Sequence, residues 1–304
     1  MKKVVSLIAS STEMICALGL GESLVGRSHE CDYPEWVKKL PQCTEPKMNV
    51  EGTSYEIDQR VKAILQEGLS VYRVFASKLN ELKPDVILTQ VQCEVCAVSE
   101  KDVIDAICQL IDSHPQIVSL NTNTLDDLWA DIQRVADALE HPEKGKELIR
   151  KLQVRIEKIS EKSKTLSQKP RIAFIEWVDP LMSCGNWMPT LIEKAGGMNL
   201  FGEAGKHSPW MQWEDLKNKD PEVIVIAPCG YDIPKTLEEL PALSSRPDWK
   251  SLRAVKNRQV YVADGNQFFN RPGPRLVESL EILAEIFHPD IFQFGHEGKG
   301  WVKL

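Results

Sequence analysis

The sequence predicts an α/β protein in which two lobes are joined by a long helical bridge. Residues 171–197 give a short buried strand, a loop rich in turn residues, and a helix that ends at a double glycine. Residues 3–20 repeat this order with a strand, a Ser-Ser-Thr turn and a second helix. Residues 124–167 lie between these halves and show helical periodicity without a strand pattern. We therefore expect two strand-and-helix lobes connected by helices.

The N-terminal lobe is predicted to span residues 1–123. Its short apolar segments are typical of buried strands and fall at residues 3–8, 23–27, 86–90 and 117–120. Helical spacing of apolar residues predicts helices at residues 13–20, 55–68, 71–82 and 100–111. The alternation of strands and helices indicates a Rossmann-like lobe, in which ligands bind at the carboxyl ends of the strands.

Capping residues and apolar patterns also predict the elements of the bridge and of the C-terminal lobe. Thr124 and Asp127 have the spacing of a helix-capping box, and His141-Pro142 separates two helices within the bridge, residues 124–167. The C-terminal lobe, residues 168–288, is predicted to hold strands at residues 171–178, 222–227 and 259–262 and a final helix at residues 275–287. Residues 289–304 are predicted to form a loosely packed C-terminal tail.

Charge and composition argue against several classes of protein. The chain of 304 residues carries a net charge of -7, so we expect no nucleic-acid partner. No apolar run approaches the roughly 18 residues that a membrane span needs, so we expect no membrane insertion. The Gly-x-Ser-x-Gly, P-loop, Gly-x-Gly-x-x-Gly and His-Glu-x-x-His motifs are absent from the sequence, which favours a binding protein over an enzyme without excluding catalysis.

The N-terminus and the cysteine content predict the compartment. Lys2, Lys3 and the apolar residues 4–9 have the composition of a short export signal, but Glu13 interrupts the run and no Ala-x-Ala cleavage site follows. Eight cysteines in a chain of this length are too few for a disulfide scaffold. We therefore expect a cytoplasmic protein, or a periplasmic or extracellular one if an export signal has been trimmed.

Several cysteines follow the carboxyl ends of predicted strands, where a ligand would bind. These positions are Cys31, Cys93, Cys96 and Cys184, with Cys229 at a further strand end and His29 close to the first. Together they predict a site for zinc or another soft metal, or for a metal-centred ligand. Cys93-x-x-Cys96 also fits a redox pair at a helix N-terminus. The remaining alternative is that the thiols only fill space or are idle.

Aromatic side chains fall on the same loops. The candidates for ligand contact are Tyr33, Trp187, Trp210, Phe268 and Phe269. Flat apolar faces suit a large planar ligand whose orientation is fixed by a few polar groups. Asn186 and Arg271 are candidates for binding amide or carboxylate groups at the rim of such a ligand, although Arg271 also fits a surface ion pair.

Longer motifs resemble the helical-bridge (class III) substrate-binding proteins of ABC importers. They are Ser10 to Gly26, Asp32-Tyr-Pro34, residues 82–87, residues 192–201, residues 260–262 and Arg271-Pro-Gly-Pro-Arg275. Within that family the chain looks most like the vitamin B12 (cobalamin)-binding proteins, over nearly all of residues 3–288. The resemblance implies a ligand cleft between two lobes and a corrin ring gripped by aromatic side chains from both.

The resemblance also assigns roles to individual residues. Tyr33 matches the aromatic residue of the first lobe, Trp210 matches the tryptophan of the second lobe, and residues 264–271 match a further contact segment. The leading hypothesis is a soluble binding protein for a corrinoid or a similar large planar, metal-centred ligand. The alternative is a cytoplasmic, thiol-dependent metal-binding or redox protein on the same fold. If the chain is exported, an ABC importer becomes its expected partner.

Overall fold

The chain forms two compact units in the computed structural model, which describes residues 1–66, 71–90, 104 and 114–304. Unit 1 comprises Met1–Gly52 and Glu56–Lys151. Unit 2 comprises Thr53–Tyr55 and Leu152–Leu304. Each unit has its own main β-sheet.

The first half of the chain alternates strands and helices. Its strands are β1 (Val4–Ser6), β2 (Leu24–Arg27), β3 (Thr44–Pro46), β4 (Tyr72–Val74), β5 (Val86–Gln90) and β6 (Gln116–Leu120). Its described helices are α1 (Ala9–Ala17), α2 (Ser54–Gln66), α3 (Ala76–Leu82), α4 (Leu125–Ala138) and α5 (Pro142–Lys164).

The second half repeats this alternation. Its strands are β7 (Arg171–Trp177), β8 (Met182–Ser183), β9 (Met198–Asn199), β10 (Val223–Ile226), β11 (Val260–Ala263) and β12 (Trp301–Lys303). Its helices are α6 (Met188–Lys194), α7 (Trp213–Lys219), α8 (Ile233–Glu239), α9 (Pro241–Ser244), α10 (Arg253–Lys256) and α11 (Leu276–Phe287).

The main sheet of unit 1 is parallel, with the strand order β2-β1-β5-β6. Strand β5 lies inside the sheet and all five of its residues are buried. A strand covered on both faces needs apolar residues at successive positions, which explains the unbroken run that predicted it. Because the strands are parallel, their carboxyl ends meet at one edge of the sheet.

The sheet of unit 2 has the order β12-β11-β10-β7-β8, with β9 paired to β7. Strands β7, β10 and β11 are parallel neighbours, while β8 and β12 are antiparallel to their partners. Beneath the sheet, the rings of Phe174 and Phe269 lie 5.3 Å apart and both side chains are fully buried. The predicted strands 171–178, 222–227 and 259–262 are therefore confirmed.

The helices that follow β6 in the chain begin where the sequence predicts. The Thr124 hydroxyl accepts from the backbone N–H of Asp127, whose carboxylate accepts in return from the backbone N–H of Thr124. This reciprocal capping box satisfies two backbone donors at the start of α4. Helix α5 begins at Pro142 and buries Leu152, Ile156 and Ile159 along one face. It is a single continuous element that crosses the boundary between the two units at Lys151.

Residues 71–82 contain a strand that sequence analysis predicted as helix. In the structure β4 pairs antiparallel with β3, and α3 starts only at Ala76. A strand of three residues shows too little alternation for its period to be recognised. Pairing with the distant residues 44–46, rather than local propensity, decides the conformation here.

The prediction of a loosely packed tail is wrong. Strand β12 pairs antiparallel with β11, and Trp301 is buried. The Trp301 indole N–H donates to Oε2 of Glu285 at 2.9 Å, and Oε1 of Glu285 accepts from the backbone N–H groups of Phe294 and Gly295. One buried carboxylate on α11 thus fixes the tail both at its middle, residues 294 and 295, and near its end, at Trp301.

Replacing Glu285 with alanine is expected to release this tail. Hydrogen bonds to a charged group contribute roughly 1.5–3 kcal/mol each, so the Glu285→Ala protein should lose about 2–4 kcal/mol of unfolding free energy. Limited proteolysis should then cut within residues 289–304, which should resist cleavage in the native protein. Glu193→Ala, which removes an exposed glutamate from α6, is the control. Equal protection of the tail in the two variants would contradict the anchoring role.

Candidate functional site

The carboxyl edge of the unit 2 sheet is held together by backbone hydrogen bonds between successive loops. The N–H of Cys229, which follows β10, donates to the Glu176 carbonyl at the end of β7 at 3.1 Å. The N–H of Asn266, which follows β11, donates to the Tyr231 carbonyl at 3.0 Å. Three neighbouring parallel strands therefore present their following loops as one connected surface, the usual position of a binding site in such sheets.

Two aromatic side chains pack together on this edge. The rings of Trp177 and Tyr231 lie 5.2 Å apart in a tilted arrangement, and the Trp177 indole N–H donates to the Asp179 carbonyl at 3.1 Å. Burial raises the pKa of the Tyr231 phenol, and the nearby Glu239 and Cys229 raise it further. The phenol is therefore neutral at physiological pH. Sequence analysis did not select Tyr231, although its position after strand 222–227 was a usable signal.

A buried cation lies at the same edge. Arg271 is only 7% exposed, and its Nη2 donates to the Asn266 side-chain oxygen at 2.8 Å. Asp264 accepts from the backbone N–H of Gln267 at 2.7 Å, and burial raises the pKa of its carboxyl group despite this bond. A guanidinium held near such an edge can hydrogen-bond to amide or carboxylate oxygens of a ligand.

Three of the predicted aromatic contacts lie in the interior of unit 2. Trp187 is 6% exposed, and its indole N–H donates to the Phe269 carbonyl at 3.1 Å. Phe269 is fully buried, and Phe268 packs beneath the Arg275 guanidinium at 4.5 Å. These contacts place the three rings in the packing that supports the edge. Asn186, just before Trp187, has a positive φ of 51°, and its backbone N–H donates to the Lys206 carbonyl.

Trp210 is the predicted aromatic residue that unit 2 leaves exposed. Its side chain is 53% exposed, and its backbone forms an antiparallel bridge with Met182 next to β8. The preceding segment is fixed by the Ser208 hydroxyl, which lies 3.0 Å from each carboxylate oxygen of Glu176. A large indole face is thus held on a rigid support with half of its surface in solvent.

Unit 1 presents an exposed aromatic side chain at the equivalent edge. Tyr33 follows β2 and is 43% exposed, in a loop that includes a cis peptide bond to Pro34. The loop starts with a turn in which the N–H of Cys31 donates to the Ser28 carbonyl at 3.2 Å. Tyr33 and Trp210 are therefore the predicted aromatic contacts with the largest solvent-exposed fraction.

The predicted metal ligands that the structure describes do not come together. Cys31 is buried in unit 1, where the Thr12 hydroxyl donates to its sulfur at 3.0 Å. Cys184 is buried in unit 2, and this burial raises the pKa of its thiol far above the usual range. Over residues 1–66, 71–90 and 114–304, we find no group of three His, Cys, Asp or Glu side chains placed to hold a metal. Cys93 and Cys96 lie outside the described residues, so their part in a metal or redox site stays a prediction.

His29 is held as a neutral side chain. Its Nδ1 lies 2.8 Å from the Thr44 hydroxyl, and its ring centroid is 5.0 Å from that of Tyr72. Burial lowers the pKa of His29 to about 4, with a further contribution from the positive charge of Arg27. The imidazole therefore acts as a hydrogen-bond partner in the unit 1 fold.

This lowered pKa predicts a loss of stability in acid. The unfolded chain binds a proton at His29 near the ordinary histidine pKa of about 6.5, whereas the folded chain resists protonation until about pH 4. Stability should therefore fall as the pH is lowered through this window. In the His29→Gln protein, urea denaturation at a series of pH values should show a weaker dependence. As the control, His141→Gln replaces an exposed histidine and should keep the pH dependence of the native protein. If His29→Gln also keeps it, His29 is not the cause of the loss of stability in acid.

Comparison with known proteins identifies the family. A sequence model of the periplasmic binding protein family matches residues 4–266. The chain belongs to this family. The predicted class, the helical-bridge substrate-binding proteins of ABC transporters, is confirmed.

Two sequence relatives of this periplasmic binding protein extend over almost its whole length. The uncharacterized ABC transporter substrate-binding lipoprotein YvrC of Bacillus subtilis (strain 168) is 28% identical over 297 residues, which covers 96% of this chain and 82% of the relative. The vitamin B12-binding protein of Pectobacterium atrosepticum is 26% identical over 295 residues, covering 93% of this chain and 87% of that protein.

A solved structure supports the same fold. The periplasmic heme-binding protein RhuT from Roseiflexus sp. RS-1, in its apo form, superposes with a TM-score of 0.70 at 22% sequence identity. The match covers 95% of this chain and 98% of RhuT. At this identity the similarity establishes the fold, and it confirms the predicted two-lobed α/β class.

The prediction of a cytoplasmic location is wrong. The chain belongs to the periplasmic binding protein family, and its relative YvrC is described as a lipoprotein, which contradicts the expected cytoplasmic location. The sequence argument rested on the composition of residues 2–13, but Val4–Ser6 form β1 and Ala9–Ala17 form α1, so this segment belongs to the fold and carries no information about the compartment. Among the described helices, none has the length and apolar character to cross a membrane.

Proposed function

We propose that this periplasmic binding protein binds a corrinoid such as cobalamin and delivers it to an ABC importer. The observation that carries the proposal is the pair of exposed aromatic side chains, Tyr33 and Trp210, each held at the carboxyl edge of its unit. The similarity to vitamin B12-binding proteins over 93% of the chain supports the choice of ligand.

Chemistry at these edges fits a broad, mostly apolar ligand with a polar rim. Tyr33 and Trp210 offer flat surfaces for the faces of a macrocycle, and burying such a side chain against the ligand is favourable by roughly 1.5–3 kcal/mol. Arg271, which already bonds Asn266, is suited to the amide carbonyl groups around a corrin ring. We expect Trp187, Phe268 and Phe269 to act indirectly, by keeping the edge of unit 2 rigid.

Haem is the second candidate ligand. RhuT, whose fold superposes on this chain, is a heme-binding protein. A haem offers the same flat apolar faces. Its carboxylates would pair with the Arg271 guanidinium at the position proposed for the amide carbonyl groups of a corrin. The two ligands differ in rim charge, so a direct comparison of their affinities distinguishes them.

Calorimetric titration with cobalamin, cobinamide and haem tests the proposal. Cobalamin is expected to bind with micromolar or higher affinity, and cobinamide shows whether the lower nucleotide is recognised. Tyr33→Ala and Trp210→Ala should each weaken binding about tenfold, because a loss of 1.4 kcal/mol corresponds to a factor of ten.

The controls shorten apolar side chains that are about as exposed as Tyr33 and Trp210 but lie outside the candidate site. Met198 and Val154 are 51% and 45% exposed, and Met198→Ala and Val154→Ala should bind like the native protein. Tight binding of haem with a flat cobalamin titration would select the second candidate. If neither ligand binds, the proposed function is wrong; if binding is unchanged in both aromatic variants, the placement of the ligand is wrong.

A further inference from the structure

The charge of helix α5 is opposite to that of the whole chain. Within Pro142–Lys164 there are eight lysine or arginine residues and four glutamates, a net charge of +4 in a chain whose total is -7. The total charge therefore conceals a basic element in an otherwise strongly acidic molecule. Such an asymmetry concentrates positive potential on one surface.

Five of these cations lie along one side of the helix, which we call the basic stripe. Its members are Lys144, Lys151, Arg155, Lys158 and Lys162. Their spacings of 7, 4, 3 and 4 positions bring them to the same side of an α-helix. At 1.5 Å per residue the stripe is about 27 Å long. All five side chains are exposed, whereas Leu152, Ile156 and Ile159 of α5 are buried.

Most of the charge on the basic stripe is not neutralised by acids. Lys144 donates to the Gly19 carbonyl at 3.3 Å and Lys162 to the Ile291 carbonyl at 2.9 Å, so both bonds leave the ammonium charge in place. Lys158 has no acidic partner within 4 Å in the described part of the chain. Two members are paired with acids: Arg155 with Glu281, a residue of α11, at 2.7 Å, and Lys151 with Glu147 on the same helix at 2.6 Å.

The outer surface of α5 lacks the features of a specific protein interface. Such interfaces have an apolar, often aromatic centre inside a polar rim. Along α5 the large apolar side chain that is exposed is Val154, and the remaining outward positions are charged or polar. A long, positively charged surface without an apolar centre instead fits a flat anionic partner that is recognised by charge alone.

We propose that the basic stripe of α5 binds the anionic phospholipid headgroups of a membrane surface. Lys and Arg residues close to such a surface are attracted individually, and clusters of four to eight on one helix produce measurable binding. The binding is weak and reversible and needs no inserted side chain. It would keep this protein near the bilayer that contains its importer, and it does not depend on which ligand the protein carries.

Sedimentation with lipid vesicles tests the inference. The full chain should pellet with vesicles made of equal parts phosphatidylglycerol and phosphatidylcholine, but not with vesicles of phosphatidylcholine alone. Because screening shortens electrostatic reach to about 3 Å at 1 M salt, binding should vanish when salt is raised to about that concentration. Free inorganic phosphate, added as a competitor at the same ionic strength as the salt control, should not displace the protein.

Two double variants with the same change in net charge distinguish an effect of the basic stripe on vesicle binding from an effect of total charge. Lys151→Gln/Lys158→Gln removes two charges from the stripe and should weaken vesicle binding about tenfold or more, since each cation near the surface contributes about 1 kcal/mol. Lys250→Gln/Lys256→Gln removes two exposed lysines of unit 2 that lie outside α5 and should bind as the native chain does. Circular dichroism melting should show that both double variants fold as the native chain does.

Three results would overturn the proposal. They are an absence of native binding to the anionic vesicles, an equal loss of binding in both double variants, and binding of polyglutamate by the stripe in place of vesicles. The third would assign the stripe to an acidic protein partner. Each of these outcomes leaves the cobalamin titration, and with it the proposed function, unaffected.

Discussion

In both units, short apolar strands pair in parallel and are covered on both faces of the sheet. Ligands of such sheets bind beyond the carboxyl ends of the strands, because the faces themselves are occupied by packing. Strand β5 in unit 1 and strands β7 and β10 in unit 2 have this environment. The loops that follow them carry the polar and aromatic residues, because those are the positions where the chain leaves the core. The location of the candidate site is therefore a consequence of strand pairing, and the choice of ligand depends on a few loop side chains.

The edge of unit 2 shows how these loops become rigid enough to hold a ligand. Backbone bonds connect the loops after β7, β10 and β11, and the buried Trp187 connects to the Phe269 carbonyl beneath them. The exposed Trp210 is supported by the bridge to Met182 rather than by its own packing. A binding surface of this kind loses little entropy when the ligand arrives, because its groups are already in position.

The sequence was sufficient for elements whose signal is local. The unbroken apolar runs predicted β5 and β10, and the Thr124–Asp127 spacing predicted the start of α4. Strands β4 and β12 were missed because three residues paired with a distant partner leave no periodic pattern. At the candidate site the sequence placed Tyr33, Trp187 and Trp210 on loops, but it could not tell which faces solvent. An indole is equally suited to a core and to a binding surface, and only tertiary packing separates buried Trp187 from exposed Trp210.

The C-terminal strand reaches the candidate site through the backbone. The N–H of Asp264, the first residue after β11, donates to the Gly300 carbonyl at 2.9 Å. Gly300 itself lies so close to Ile282 that a Cβ there would come within 2.7 Å of the isoleucine side chain. The last residues of the chain are thus part of the framework under a ligand loop. An affinity tag or reporter fused at this end would therefore be attached directly to a strand that supports the candidate site.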